Sequence, residues 1–319
     1  MDVLQQFEVA PREIDEVIHG GFSGARIWKV LDHSGATFCL KRWPANGPTH
    51  QHLTWIHQVI HSVATNTEVP LAVPVASKIG STVVSAADYQ WDLTGWLPGE
   101  PASESITSDQ VQAALRALAL FHHAAQDHNS VIGASGLSRS IEYRREFADW
   151  LINGGVNEIA VCVGSCTSYA VILQAYRENA KFITRAIREM AGKSYALIPC
   201  LRDIWSDHVL FQENKVSGII DYGAMRLDAA VVDIARLLGC YEAMNKGVWN
   251  LGIDAYREVR HISIEDVQLA QQLARVNVVL SAMQWLDWLF VRKREFADPI
   301  AVDQRIELLS IQLRQFYTA

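Results

Sequence analysis

One stretch constrains this chain more than any other. It reads Pro199-Cys200-Leu201-Arg202-Asp203-Ile204-Trp205-Ser206-Asp207-His208-Val209-Leu210-Phe211, and Ile219-Ile220-Asp221-Tyr222-Gly223 follows closely. The first part is a short polar loop with two carboxylates and an imidazole, running into an apolar segment. Short apolar runs bounded by turn residues read as buried strands. The second part ends another such run on a carboxylate and a glycine. Two adjacent strand ends carrying carboxylates can hold divalent cations and a nucleophile between them. A site of that kind needs further groups from elsewhere in the chain.

The first hundred residues offer them. Arg26 to Val30 alternates, Asp32 to Gly35 turns, and Thr37 to Lys41 returns, which predicts a hairpin. Gly20, Gly21, Ser23 and Gly24 lead into it. Glycines let a backbone come close to a phosphate and aim N–H groups at it. Lys41, at the end of the second strand, is placed to grip such a phosphate. Thr49 to Thr65 is predicted helical, with Leu53, Ile56, Ile60 and Val63 at helical spacing. His57 and His61 in that helix have the spacing of a zinc pair, but no Glu follows the first as in H-E-x-x-H. Short strands are expected at Leu71 to Val75 and Thr82 to Val84, and a longer one at Tyr89 to Thr94. Gly95-Trp96-Leu97-Pro98-Gly99-Glu100-Pro101 then punctuates the chain. The backbone of Gly95, Trp96 and Leu97 is the candidate reader of a base edge, with Thr94 behind it.

Beyond this connector helices dominate. They are expected at Ser108 to Gln126 (capped by Ser108), Ser140 to Ile152, Tyr169 to Ala191, Val232 to Met244, Ile264 to Trp288 and Ile300 to Tyr317. Strands first and helices afterwards describe an α+β chain of two lobes, residues 1–95 and 96–319. A net charge of −7 with no basic stripe argues against nucleic acid and membrane surfaces as partners. No apolar run reaches the roughly 18 residues of a membrane span. Five dispersed cysteines and a polar start point to a cytoplasmic protein with reduced thiols. Cys162 and Cys166 lack the second pair of a zinc site.

Taken together, these motifs resemble the aminoglycoside phosphotransferase and choline-kinase-like small-molecule kinases. The likeness rests on order: Gly-rich hairpin, strand lysine, connector, helix, D-x-x-x-x-[N/H], strand, D-x-G. Trp96 to Pro101, Leu115 to His122, Ile220 to Gly223 and Asp228 to Leu238 are similar to that family's stretches. The resemblance implies a bilobal protein-kinase-like fold, a mixed sheet lobe and a mostly helical lobe. It implies transfer of the γ-phosphoryl group of ATP, or GTP, to a hydroxyl of a small molecule or aminoglycoside-like substrate. In that scheme Asp203 is the catalytic aspartate, Asp221 and His208 hold Mg²⁺, or Mn²⁺, and Lys41 binds the nucleotide. The Gly20 to Gly24 loop covers the phosphates, and Asp233 supports the catalytic loop through backbone N–H groups.

Three departures stand out. Leu201 replaces the usual His, His208 replaces the usual Asn, and the helix after Lys41 has no Glu to pair with it. They keep open an alternative, a nucleotide-binding pseudokinase or interaction module. A metal hydrolase using the His-rich helix is a third reading. Asp287, Glu242, Asp254 and Glu258 are the acids named for a cationic substrate, and Trp249, Trp285 and Trp288 the aromatic wall.

Overall fold

Alternation in the early segments builds one antiparallel sheet. A computed structural model describes residues 2–17, 22–102, 105–128, 135–164, 167–296 and 298–317. Gly20, Gly21 and Cys166 lie outside these. The chain runs α1 (Asp2–Gln6), β1 (Pro11–Val17), β2 (Arg26–Asp32), β3 (Thr37–Arg42), α2 (His50–Asn66), β4 (Val84–Ala86) and β5 (Tyr89–Gly95). The strands order as β1-β2-β3-β5-β4, every neighbour antiparallel. Because side chains alternate, Trp28, Val30, Leu40 and Leu93 bury one face under Leu4 of α1 and Phe7 just after it. Lys41, one residue on from Leu40, is thereby turned the other way, and its cross-strand partner is Asp92.

Then follow β6 (Glu100–Pro101), α3 (Ser108–His128), β7 (Ser135–Gly136), α4 (Arg139–Trp150), a π-turn at Leu151–Gly155, α5 (Val156–Val163) and α6 (Thr167–Ala191). The chain continues through β8 (Tyr195–Cys200), β9 (Val209–Gln212), β10 (Lys215–Ile219) and β11 (Arg226–Ala229). It ends in α7 (Val231–Met244), α8 (Val248–Arg257), α9 (Ile264–Leu286) and α10 (Pro299–Tyr317). Two small sheets, β10-β9-β6 and β11-β8-β7, sit among these helices. The result is the expected α+β arrangement, strands early and helices late. None of the described helices is long and apolar enough to cross a membrane.

Some local expectations shift. Thr107, not Ser108, caps α3: its hydroxyl accepts from Gln110 N–H at 3.2 Å, and Gln110 Oε1 accepts from Thr107 N–H at 3.1 Å. That is a reciprocal capping box. Leu71 to Val75 forms no strand, only single bridges from Leu71 to Ile219 and from Pro74 to Thr94. Pro70 and Pro74 lack the N–H donors a ladder requires. Nothing in the sequence reading anticipated α8. It has a glycine, Gly252, in its middle, where a Cβ would sit 2.5 Å from Leu238 Cδ2. The glycine weakens the helical signal while allowing α8 to press against α7.

Candidate active site

The two motif loops connect the two small sheets. One leaves β8 and enters β9 through a 3₁₀ turn at Ser206–His208; the other leaves β10 and enters β11. They run side by side, with Ile220 N–H donating to His208 O at 3.0 Å. Both contain a non-glycine residue of positive φ, Arg202 at +63° and Asp221 at +60°. Such conformers cost on the order of 1–2 kcal/mol per residue, least for Asp, so the surroundings must hold them. Asp233 holds the first. It is fully buried and accepts from Leu201 N–H and Arg202 N–H, each at 2.7 Å. Buried His122 Nε2 lies 3.1 Å from Oδ2, the oxygen that also takes the Leu201 N–H. This is the support through backbone N–H groups that the motif implies for Asp233.

Asp221 meets Lys41 directly: Nζ to Oδ1 is 2.9 Å. Lys41 is buried, and its ammonium lies 4.1 Å from the centre of the Trp43 ring. Burial alone would lower the lysine pKa. The Asp221 charge, then the bond to it, then Asp92, outweigh this and raise it. Burial likewise opposes ionisation of Asp221, but Lys41 and then His208 hold its carboxyl well below the usual carboxylate range. The sign follows. Asp221 contributes stability above the ordinary carboxylate pKa and loses it as pH falls through its own depressed value. Lys41 contributes below the ordinary lysine pKa and loses it as pH rises through its raised value. Near neutral pH both are charged.

His208 sits against this pair. Nδ1 lies 2.6 Å from the Asp203 backbone oxygen, so it carries the proton and donates. Nε2 is then the bare nitrogen. It accepts from Trp205 Nε1–H at 3.2 Å and lies 3.9 Å from Asp221 Oδ2. Asp221 Oδ2 faces the cleft as a candidate ligand for a divalent cation, which needs few protein ligands. His208 Nε2 would join it only by giving up the Trp205 N–H, because it has a single lone pair. An imidazole nitrogen in the set is softer than an amide oxygen and shifts the preference toward Mn²⁺. Asp203 carries an ion pair the sequence reading missed: Arg236 Nη2 of α7 donates to its Oδ1.

Lys41, Asp221 and His208 lie along a cleft of about 770 Å³. Gly24, Lys41, Asp221 and His208 line it, as do Gly95, Trp96 and Leu97. Trp96 N–H is spent on Thr37 O at 2.9 Å, so that residue meets the cleft without a free amide. Ser23 is exposed and turns its hydroxyl to Ala25 N–H at 3.3 Å. Asp203 stands outside the lining, while Asp207 is part of it. Gly223 is needed on steric grounds, since a Cβ there would lie 2.5 Å from Trp43 Cη2.

Asp92 was also missed in the sequence. It is buried on β5 opposite Lys41 and accepts from Trp43 Nε1–H at 2.6 Å. His57 of α2 lies 3.5 Å from the same oxygen. Helix α2 thus reaches the lysine's neighbourhood through a histidine and a strand aspartate. A polar residue inside the alternating run Tyr89 to Leu93 was the available signal. The acids proposed for a cationic substrate are engaged elsewhere. Asp287 is buried against Gln284 and Arg292, Glu242 accepts from Gly247 N–H, and Asp254 and Glu258 pair with Arg257 and Arg116. Trp285 is buried in the core beside Trp288, and Trp249 is packed against it. Phe22, next to the glycine-rich loop, packs edge-on against Trp285 at 4.7 Å.

Residues 16–262, well over half the chain, match the phosphotransferase enzyme family. The chain belongs to that family. This phosphotransferase also shares its fold with solved kinases. A spectinomycin phosphotransferase in complex with ADP and spectinomycin superposes with a TM-score of 0.66 at 13% identity, covering 98% of this chain and 95% of the other. A microcompartment-associated aminopropanol kinase gives a TM-score of 0.66 at 16% identity, covering 99% and 94%. The bilobal protein-kinase-like fold implied by the motifs is therefore the fold of this phosphotransferase. A homoserine kinase from Beijerinckia indica subsp. indica is 33% identical over 103 residues. That match spans 30% of this chain and 32% of the relative, about a third of its length.

Proposed function

We propose that this phosphotransferase moves the γ-phosphoryl group of a nucleoside triphosphate, ATP or GTP, to a hydroxyl of a small metabolite. The observation that carries the reading is the meeting of Lys41, Asp221 and His208 Nε2 in one cleft beside the loop that bears Asp203. In this reading the glycine-rich segment around Gly24 covers the phosphates. Trp96, Leu97 and Thr94 face the base. Lys41 leaves Asp221 for the phosphate oxygens, and Asp221 and His208 hold a divalent cation, which screens the phosphate charge. Asp203, oriented by Arg236, receives the acceptor hydroxyl and takes its proton as the oxygen bonds to phosphorus and the nucleoside diphosphate departs. The lobe boundary falls near Gly95, so the cleft lies between residues 1–95 and 96–319. Free cysteines Cys39, Cys162, Cys200 and Cys240 suit a reduced, cytoplasmic setting.

The relatives act on an amino alcohol, a hydroxy amino acid and an aminocyclitol, by their names, so we propose an amine-bearing alcohol as acceptor. Asp207 and Glu295 are among the carboxylates that line the cleft and are candidates to meet an ammonium there. Phosphorus NMR of ATP or GTP incubated with a panel of amino alcohols, hydroxy amino acids and neutral polyols tests this. A new phosphate-ester resonance with an amino alcohol or hydroxy amino acid is expected. Esters formed only from neutral polyols would refute the acceptor class. One observation favours the alternative of a nucleotide-binding pseudokinase: both ring nitrogens of His208 already have protein partners. It predicts nucleotide binding with no ester formed from any acceptor.

Once Asp221 serves the cation, Asp92 is the carboxylate left beside Lys41. Asp92→Asn is expected to raise the KM for nucleotide about tenfold, one charge-assisted contact, with a smaller change in kcat. Asp92→Glu is expected to recover part of the loss. Steady-state kinetics at varied nucleotide checks both.

A further inference from the structure

A second cavity, of about 420 Å³, lies apart from the cleft and is lined by His52, Trp55, Arg139, Arg202, Arg226 and Leu227. Its three guanidinium groups come from three places in the fold: the first residue of α4, the loop before Asp203 and the first residue of β11, while α2 adds His52. Like charges gathered from three places repel unless something compensates them. Asp228 is the compensating carboxylate within reach, 3.3 Å from Arg202 Nε. It is fully buried and already accepts from the Ser138 and Ser140 hydroxyls and from Ser140 and Ala229 N–H. Among the described residues, Arg139 and Arg226 have no carboxylate within 4.0 Å. Arg226 instead donates to Met225 O at 2.7 Å and to His52 Nε2. The surplus is felt locally. Burial and then the Arg202 charge lower the Arg226 pKa, and burial and then Arg226 lower that of His52. Trp55 stacks on His52 at 5.3 Å and forms an aromatic wall.

We propose that this cavity is an anion site for a phosphate-class dianion, held by Arg139, Arg202 and Arg226 with His52 at its edge. Guanidinium forks match phosphate oxygens two at a time. The volume leaves room for the carbon skeleton of a small phosphate ester. Arg202 directly precedes Asp203 and Arg226 opens the strand after the Asp221 loop, so an occupant braces both loops against α2 and α4. The inference rests on the charge arrangement and stands whether or not the cleft transfers phosphate.

Thermal unfolding and calorimetry with inorganic phosphate, glycerol phosphate and sodium chloride at matched ionic strength test it. Phosphate or its ester is expected to give a saturable rise in Tm that chloride does not. Binding by both means a site for the phosphate group itself; binding by glycerol phosphate alone means a site for an ester. Arg139→Gln and Arg226→Gln are each expected to weaken binding at least about tenfold. Arg139 is exposed, so its replacement reads the site without a folding defect. Hydrogen exchange of residues 201–208 is expected to slow when phosphate is bound. A Tm rise no larger than that with chloride overturns the proposal. So does phosphate binding that both variants leave unchanged, since the anion would then sit elsewhere, at Lys41 for instance.

Discussion

Asp203→Asn is expected to lower kcat by about 10²- to 10⁴-fold, the range of a positioned proton acceptor. Nucleotide binding should remain, because Lys41, Asp221 and His208 are untouched. The substitution is a mild one structurally. Asn keeps the side-chain size and one oxygen that can still accept from Arg236 Nη2. What it loses is the charge that draws the hydroxyl proton as phosphorus–oxygen bonding develops. Single-turnover rates with saturating nucleotide separate the two outcomes. A variant that binds nucleotide as wild type does but turns over slowly supports the assignment. Wild-type turnover would remove Asp203 from the mechanism and leave its neighbour Asp207 to explain.

The second large effect is on stability. Asp233→Ala is expected to cost about 3–5 kcal/mol, the usual penalty for removing one partner of a buried charged network. The fully buried carboxylate satisfies Leu201 N–H, Arg202 N–H and His122 together. Without it two buried amides have no acceptor, and each orphaned group costs about 1–3 kcal/mol. Arg202 would also lose the bond that holds its positive φ. Urea unfolding at neutral pH checks the figure. A loss under about 1 kcal/mol would mean that water or a neighbour replaces the carboxylate, and that Asp233 is no keystone of the loop.

How far this was legible in the sequence depends on the kind of signal. Period-2 alternation at Arg26 to Val30, the hairpin return at Thr37 to Lys41 and helical spacing at Leu53 to Val63 are local patterns, and all three elements are present. Motif order placed Lys41, Asp221 and His208 in one cleft because those residues sit at strand ends, where the topology leaves little choice. Long-range pairs left no such trace. Asp92 and His57 are 35 positions apart in the chain and meet only when α2 packs over the sheet. Arg236 sits in a helix that reads as core, yet reaches Asp203. The absent helix Glu looked like a defect because sequence shows what a position lacks, not what another strand supplies. The acids Asp254 and Glu258 misled for the converse reason. Each reads as free charge until Arg257 and Arg116 are seen to pair with them.

We propose that Asp221, with Lys41 and His208, forms a site for a metal-bound nucleotide. The most direct measurement is the change in Tm with ATP and with GTP, each alone and with Mg²⁺ or Mn²⁺, for the wild type and Asp221→Asn. A nucleotide-dependent rise that requires the divalent cation and vanishes in Asp221→Asn is expected, with Mn²⁺ at least as effective as Mg²⁺. No rise with either nucleotide, or an equal rise in Asp221→Asn, would contradict the account.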